Sequence, residues 1–556
     1  MAPRKEEAGA DLFGAPRSFT REAALKTNLP AASPPLPAPT VQATRAPSRG
    51  GARRSLDLCW LTAALVVAAL VHAPSLRLGF VSDDFEWLRH ARTVLNDPGR
   101  LLVPFGGVRP ALAVSLAVNM LACGVEPFGY HLANLVLHLG CGALLFLLLG
   151  RLSLPAPICA AITALWLCSP YSLEPAQAVQ SRQETSLLAC WLGLGLVWPG
   201  PDLPWTRGRA AGAGALALLS ALTKESWVVL PGFCLAFDLW LRDVPLRRAV
   251  RNAAVVALAP FAFTIIYFIN PAIAPGSYLT GGFAALGRVP HALAVFLNLR
   301  ALVPALPTVG PAEVGATVVL AALLVFGWLK RNWCVGVGLA FFVLPFLPIL
   351  TVPFLTSRYT TIPLLGFLMV LGGTATELIR LVRPPVRLAL VAALGVLFAT
   401  QLTLDLLTLR GDMADASRLD AAHRRLLAET RAFLTELPKD RVLVVVRLDR
   451  ADPLRDLVES VAGIPKAYFD RVRDPYGLID WPSLLTFALD PNGGPVFEAV
   501  EPEAAGTASF SVLAHLDGGF RLITPLATSV PGEVRAWEAR GFHPRVVRPM
   551  RQNPGR

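Results

Sequence analysis

The sequence predicts a mainly α-helical polytopic membrane bundle followed by a small soluble α/β domain. Three observations carry that expectation. First, 54% of the 556 residues are hydrophobic, only 16% are charged and the mean hydropathy is +0.52, far too apolar for a soluble chain of this size. Second, of 39 acidic residues 4 precede residue 55 and 20 follow residue 409, which leaves 15 for the long middle. Third, the region after residue 409 balances 20 acids against 20 bases, the composition of a soluble fold. The net charge of +12 is divided between the N-terminal tail and the loops that flank apolar runs, where membrane topology demands it, so nucleic-acid binding is excluded as a reading.

Residues 1–54 are rich in Pro, Ala and Arg without apolar periodicity and read as a disordered cytosolic tail. A spanning helix needs about 20 apolar residues. The first such run is Leu56 to Leu76, too late for an ordinary secretory signal, and Arg45, Arg49, Arg53 and Arg54 before it put the N-terminus in the cytoplasm. Ala111 to Cys123 is short for a span and is expected along the interface. Tyr130 to Gly150 crosses back and ends at Arg151. Further spans fall near 155–169, 184–199, 210–223, 226–241, 251–270, 312–329, 333–350, 360–379 and 385–406, some needing tilt, for a total of about eleven.

That count places Arg207/Arg209, Arg242/Arg247/Arg248/Arg251, Lys330/Arg331 and Arg380/Arg383/Arg387 on the cytoplasmic side. Pro290 to Leu306 is taken as re-entrant or interfacial, because counting it as a span would move Lys330 and Arg331 outside. The transmembrane domain is thus 55–409, and 410–556 is an extracytoplasmic α/β domain with a helical pattern over Ala416 to Leu437 and a β-like run over Arg441 to Arg447. A domain of that length can bury a core of its own. All eight cysteines lie in or beside apolar runs, and neither a disulfide framework nor a CxxC zinc pattern is present.

The segment just beyond the first span, Gly79-Phe-Val-Ser-Asp-Asp-Phe-Glu-Trp-Leu88, concentrates three carboxylates in an acid-poor region. At a membrane edge such acids are hydrated, and alone they would read as a solvated loop or a helix N-cap. The adjacent side chains of Asp83 and Asp84 diverge, which argues against a two-carboxylate glycosidase pair.

This loop is followed by Val108-Arg-Pro-Ala and by Pro127-Phe-Gly-Tyr-His-Leu-Ala-Asn-Leu-Val-Leu-His138. Downstream come Ser181-Arg-Gln-Glu184, Leu222-Thr-Lys-Glu-Ser226 with Pro231 and Asp238, and Ser357-Arg-Tyr-Thr-Thr-Ile-Pro363. In that order, over about residues 56–406, the segments resemble the GT-C membrane glycosyltransferases, nearest to the protein O-mannosyltransferase-like (glycosyltransferase family 39-like) group. Two departures stand out: no tetratricopeptide array follows, and the Arg358-Tyr359 segment continues with Thr-Thr-Ile-Pro and not with a second tyrosine.

The resemblance implies transfer, with inversion, of a sugar from a polyprenyl-phosphate-sugar to a hydroxyl of a protein, lipid or glycan on the outer face of the membrane. A hydroxyl is a weak nucleophile, so a carboxylate must take its proton. Asp83 is the expected base and Asp84 its positioning partner. The departing lipid phosphate needs cationic donors. Arg358 and Lys224 are the leading candidates, with Arg109 and Arg182 behind them, and Glu225, Tyr359 and His131 as further lining. No metal ligands are assigned, although some members of the group use a divalent cation.

Structural alternatives stand beside several of these. His131, Asn134 and His138 share one helix face, but the two histidines are separated by roughly 10.5 Å of helical rise, too far for one ion, so hydrogen bonding between helices is preferred. Ser181-x-x-Glu184 matches a capping box, and Lys224 and Glu225 could neutralise each other. A transporter or flippase of lipid-linked sugars is the competing class, though the pseudo-repeats such proteins often carry are not seen. An inactive transferase-like scaffold is a third. A bacterial cytoplasmic (inner) membrane is the expected location.

Overall fold

The computed structural model describes residues 51–80, 84–102, 109–200, 203–269, 332–349, 357–434, 442–447, 497–516, 519–523, 525–540 and 544–549, with isolated positions between 318 and 329. Asp83, the tail 1–50, the 290–306 segment and most of 312–329 lie outside the described residues.

The chain is mainly helical. In order, the helices are α1 (Gly51–His72), α2 (Asp84–Asn96), α3 (Pro110–Cys123), α4 (Pro127–Arg151), α5 (Ala156–Leu167), α6 (Leu173–Gln177), α7 (Arg182–Val197), α8 (Arg207–Thr223), α9 (Leu230–Ala236), α10 (Leu246–Ile269), α11 (Trp333–Val343), α12 (Ser357–Leu381) and α13 (Pro384–Leu434). Pro110 and Pro127 sit in the first turns of α3 and α4, where a missing N–H costs nothing. Asp84 and Glu86 occupy the first turn of α2, where negative charge suits the helix dipole. Arg151 leaves the end of α4 and donates to the carbonyls of Gly195 and Leu196 in the last turn of α7 and to that of Trp198 just beyond it.

Among the described residues, five helical segments are long and apolar enough to cross a membrane: Ser55–Arg77, Pro127–Arg151, Leu246–Ile265, Arg358–Leu381 and Pro384–Ala421. These make the chain an integral membrane protein. A sixth would be Ala156–Leu167 with Pro170–Gln177, bent by 63°. Among the described residues, length and composition therefore single out fewer helices than the eleven expected, one of which, 312–329, lies mostly outside them. The reasons are local: α7 and α8 are 16 and 17 residues long, and the 226–241 segment breaks into a 3₁₀ turn, α9 and a π turn.

The core is formed by α4, α5, α7, α9, α11 and α12 around the buried Trp166, Trp191, Trp198, Phe233, Phe237 and Phe341. Helices α11 and α12 cross with their backbones in near contact, since a Cβ on Gly366 would lie 2.2 Å from the Phe342 nitrogen. The break after α5 frees the Leu167 carbonyl, which accepts hydrogen bonds from His72 Nε2 (2.9 Å), His138 Nε2 (3.1 Å) and Ser172 Oγ (3.1 Å). A polar group opened at the break is thereby satisfied inside the protein.

Two expected elements, the 385–406 span and the 416–437 helix, are parts of one helix, α13, that passes residue 409 without interruption. Beyond it lies a five-stranded sheet in the order β2-β5-β1-β3-β4, built from β1 (Val442–Arg447), β2 (Phe497–Ala499), β3 (Phe510–Leu516), β4 (Gly519–Ile523) and β5 (Arg545–Pro549). β1 runs parallel to β3 and antiparallel to β5. Val442, Val444, Val512 and Val546 pack against Val530, Val534 and Trp537 of α14 (Val530–Glu538). The buried Glu533 carboxylate accepts from Ala527 N at 2.7 Å and Trp537 Nε1 at 2.8 Å.

Candidate active site

One end of the bundle gathers charge from six elements. Asp84 opens α2, Arg109 precedes α3, Arg182 and Glu184 open α7, Lys224 and Glu225 follow α8, and Arg358 and Tyr359 open α12, with Glu174 contributed by α6. Most of these side chains are buried, and charge at such positions survives only when it is paired.

Lys224 and Arg358 are brought to one ring: the Lys224 ammonium lies 4.8 Å from the centre of the Tyr359 ring and the Arg358 guanidinium 5.3 Å from it. Their partners were not foreseen. Lys224 is ion-paired with Glu184, and Arg358 is paired with Glu174 at 3.6 Å while its backbone N–H donates to the same carboxylate at 3.0 Å. Lys224 and Glu225 thus take their ion-pair partners from other elements and not from each other. Glu225 instead takes two nitrogens of Arg109, at 3.0 and 3.1 Å, and the Arg109 guanidinium also lies 5.7 Å from the centre of the Trp87 ring.

Burial alone would push the Glu225 carboxyl up, but Arg109 beside it wins and holds it below the usual carboxylate range. Arg109 in turn is held above its usual value, because Glu225 outweighs its burial. The pair is fully ionised at neutral pH.

The capping box read from Ser181 and Glu184 does not form. Ser181 has helical backbone angles and its side chain caps nothing, which leaves Glu184 for Lys224. Arg182 is engaged at all three nitrogens, donating to Asn134 Oδ1 at 2.7 Å, to Ser115 Oγ at 2.8 Å, to Asn119 Oδ1 and to the Tyr130 carbonyl at 3.0 Å. It ties α3, α4 and α7 together. The Asp84 carboxylate is buried and accepts from Gln180 N at 3.0 Å.

His131 and Asn134 turn to backbone carbonyls outside helices: His131 Nε2 donates to Gly79 O at 3.2 Å and Asn134 Nδ2 to Ala178 O at 2.9 Å. Together with His138 on Leu167 O, this is hydrogen bonding within the bundle. No group of three or more His, Cys, Asp or Glu able to hold a metal ion occurs among the described residues. Sequence reasoning passed over Glu174, whose signal was available: it is a lone acid between Glu126 and Glu184 in an otherwise apolar stretch.

No family model matches the chain. Protein O-mannosyl-transferase Tmtc1 of Drosophila melanogaster is 29% identical over 208 residues, which are 34% of this chain and 24% of that protein. The chain spans about a quarter of the length of this curated relative. The crystal structure of ArnT from Cupriavidus metallidurans bound to undecaprenyl phosphate aligns with 80% of this chain and 94% of that chain at 14% identity and a TM-score of 0.45, a loose likeness. In sequence, then, this chain is similar to a protein O-mannosyl-transferase, the same group that its own motifs resemble.

Proposed function

We propose that the chain is a GT-C-type membrane glycosyltransferase that moves a sugar from a polyprenyl-phosphate-sugar to a hydroxyl acceptor at the extracytoplasmic face. The observation that carries this reading is the meeting of Lys224 and Arg358, from distant parts of the sequence, on one tyrosine ring at the end of the bundle that also holds Asp84. A transferase needs a base for the acceptor and cations for the departing phosphate, and the resembled group assigns both roles to motifs that lie here.

Arg182 is engaged at all three nitrogens and Arg109 is gripped by Glu225, so these two shape the site. Arg358 has the longest of the ion pairs named here, and a phosphate approaching it would compete with Glu174 for a planar, two-pronged donor. Lys224 adds a point charge held in place by Glu184. Asp83 accepts the acceptor's proton as the hydroxyl oxygen bonds to the anomeric carbon, and the bond to the lipid phosphate breaks on the opposite side with inversion. Asp84, fixed through Gln180 N, anchors the loop. The eleven-span arrangement with a cytoplasmic N-terminus and the 410–556 domain outside belongs to the same proposal.

The test is incubation of purified protein with radiolabelled polyprenyl-phosphate-sugars and membranes, followed by assay of protein, lipid and glycan fractions. Asp83→Asn should lower transfer by roughly 100-fold or more. Asp84→Asn should lose less, because its amide oxygen still accepts from Gln180 N. Equal losses rescued by Mn²⁺ or Mg²⁺ would instead assign the two aspartates to a metal. Arg358→Lys should reduce turnover and Arg358→Ala reduce it further, since phosphate charge grows as the sugar leaves. Normal transfer by a folded Arg358→Ala protein would remove this residue from the site.

A further inference from the structure

The acidic loop is held at its near end by a residue from the far end of the chain. Gly79 N–H donates to Asp420 Oδ1 at 2.8 Å, and Gly79 O accepts from His131 Nε2 at 3.2 Å. Both polar groups of one peptide position are thus fixed by side chains from two different helices. Asp420 is nearly buried, and its carboxylate is gripped by Arg424, whose guanidinium also donates to the Arg77 carbonyl at 2.9 Å. The next residue, Phe80, wedges its ring against Tyr130 at 5.2 Å and Phe85 at 6.3 Å. Asp84 is tied down on the other side by Gln180 N.

Space enforces the same arrangement. A Cβ on Gly79 would stand 2.5 Å from Asp420 Oδ1, so a side chain here and the Asp420 carboxylate cannot occupy their present places together. The hydrogen-bond and ion-pair partners of Asp420 are Arg424 and the Gly79 backbone, and none of Arg109, Lys224 or Arg358 is among them.

We propose that Asp420, on the polar continuation of α13, is a positioning residue that sets, through the Gly79 peptide, the chain entering α2 and with it Asp84. The consequence for catalysis rests on the transferase reading above; the clamp itself does not. It makes the helix leading into the C-terminal sheet a structural part of the acidic loop. Loss of the clamp should lower turnover while leaving donor binding intact, because the donor cations sit on other elements.

The experiment compares full-length wild type, Asp420→Ala, Asp420→Asn, Gly79→Ala and the double variant Gly79→Ala/Asp420→Ala. Arg418→Ala, on an exposed position of the same helix paired with Asp415, serves as control. Two readouts are taken in detergent: hydrogen exchange of the peptide covering residues 78–88, and transfer kinetics with a polyprenyl-phosphate-mannose donor. Asp420→Ala and Gly79→Ala should each speed exchange in that peptide and cut kcat by roughly 10- to 100-fold, with donor KM within about twofold.

Asp420→Asn, which keeps the acceptor oxygen, should recover most of both. The double variant should be no worse than either single, the signature of one shared interaction. Unchanged exchange in Asp420→Ala, or faster exchange with unchanged kcat in an active enzyme, would overturn the proposal. Wild type inactive with every donor tried would count against the transferase reading, while the exchange data would still decide the clamp.

Discussion

Each buried cation at the head of the bundle is matched to a carboxylate or to neutral acceptors, and the matching is what sequence could not show. The residue types were legible, because charges are rare in the apolar region and each demands a reason. Their partners were not, because Lys224 and Glu225 are adjacent in the chain but point to different helices, and pairing follows tertiary packing. The buried Lys224–Glu184 pair gives a direct test. Lys224→Met alone leaves Glu184 unpaired and should destabilise the protein by about 3–5 kcal/mol. Adding Glu184→Leu should restore the melting temperature to near wild type but leave transfer abolished, since the cation remains absent; recovery of both would make the pair purely structural. His90 of α2 supplies a pH test, because its burial, aided by Arg89, lowers its pKa to about 4. Below pH 6.5 the unfolded chain gains a proton that the folded chain refuses, so stability should fall between pH 6.5 and 4, by about 3 kcal/mol at most, and level off below that. Melting curves of wild type and His90→Gln across this range check it: the variant should show the shallower decline.

At the scale of elements, periodicity and proline placement located most helices, while the boundaries that failed did so for physical reasons. The change of composition at Arg410 is not a change of backbone: α13 has no proline in its interior there, only Gly411, which a helix tolerates at a cost of about 1 kcal/mol. The reverse holds at 226–241, where an apolar run long enough to read as one span contains Pro231 and divides into three short helical pieces. Strand β1 was legible from its run of valines, but its central place, parallel to β3 and antiparallel to β5, depends on residues far along the chain. The crossing of α11 and α12 depends on glycine: Gly366 and Gly338 let the two helices meet backbone to backbone. Gly366→Val must push the helices apart and should cost at least about 3 kcal/mol, whereas Gly395→Val, with open space around its Cβ, should change little. Equal melting temperatures for the two variants would show that the crossing is not a stability determinant.

At the scale of the whole molecule, the structure has two ends, and the arginines at one of them predict a topology. α1 begins at Gly51 and leads, through the short turn at Ala73–Arg77, to Gly79 at the end that holds Asp84, Arg109, Lys224 and Arg358. Arg151 and Arg209 lie near one another at the other end, by the close of α7 and the opening of α8. α12 starts at the site end with Arg358 and finishes at Arg380, and α13 then returns to the site end, where Asp420 meets Gly79. The sheet follows from there. If the arginine-rich end faces the cytoplasm, as the positive-inside rule requires, then the candidate site and the C-terminal sheet share the outer face. Thr507, exposed just before β3, can report this. A Thr507→Cys protein in intact cells or spheroplasts should therefore react with a membrane-impermeant maleimide, and the parent chain, whose eight free cysteines lie in or beside apolar helices, should react little. Labelling of Thr507→Cys only after permeabilisation would place the sheet inside and would move the acidic loop and its cations to the cytoplasmic face with it.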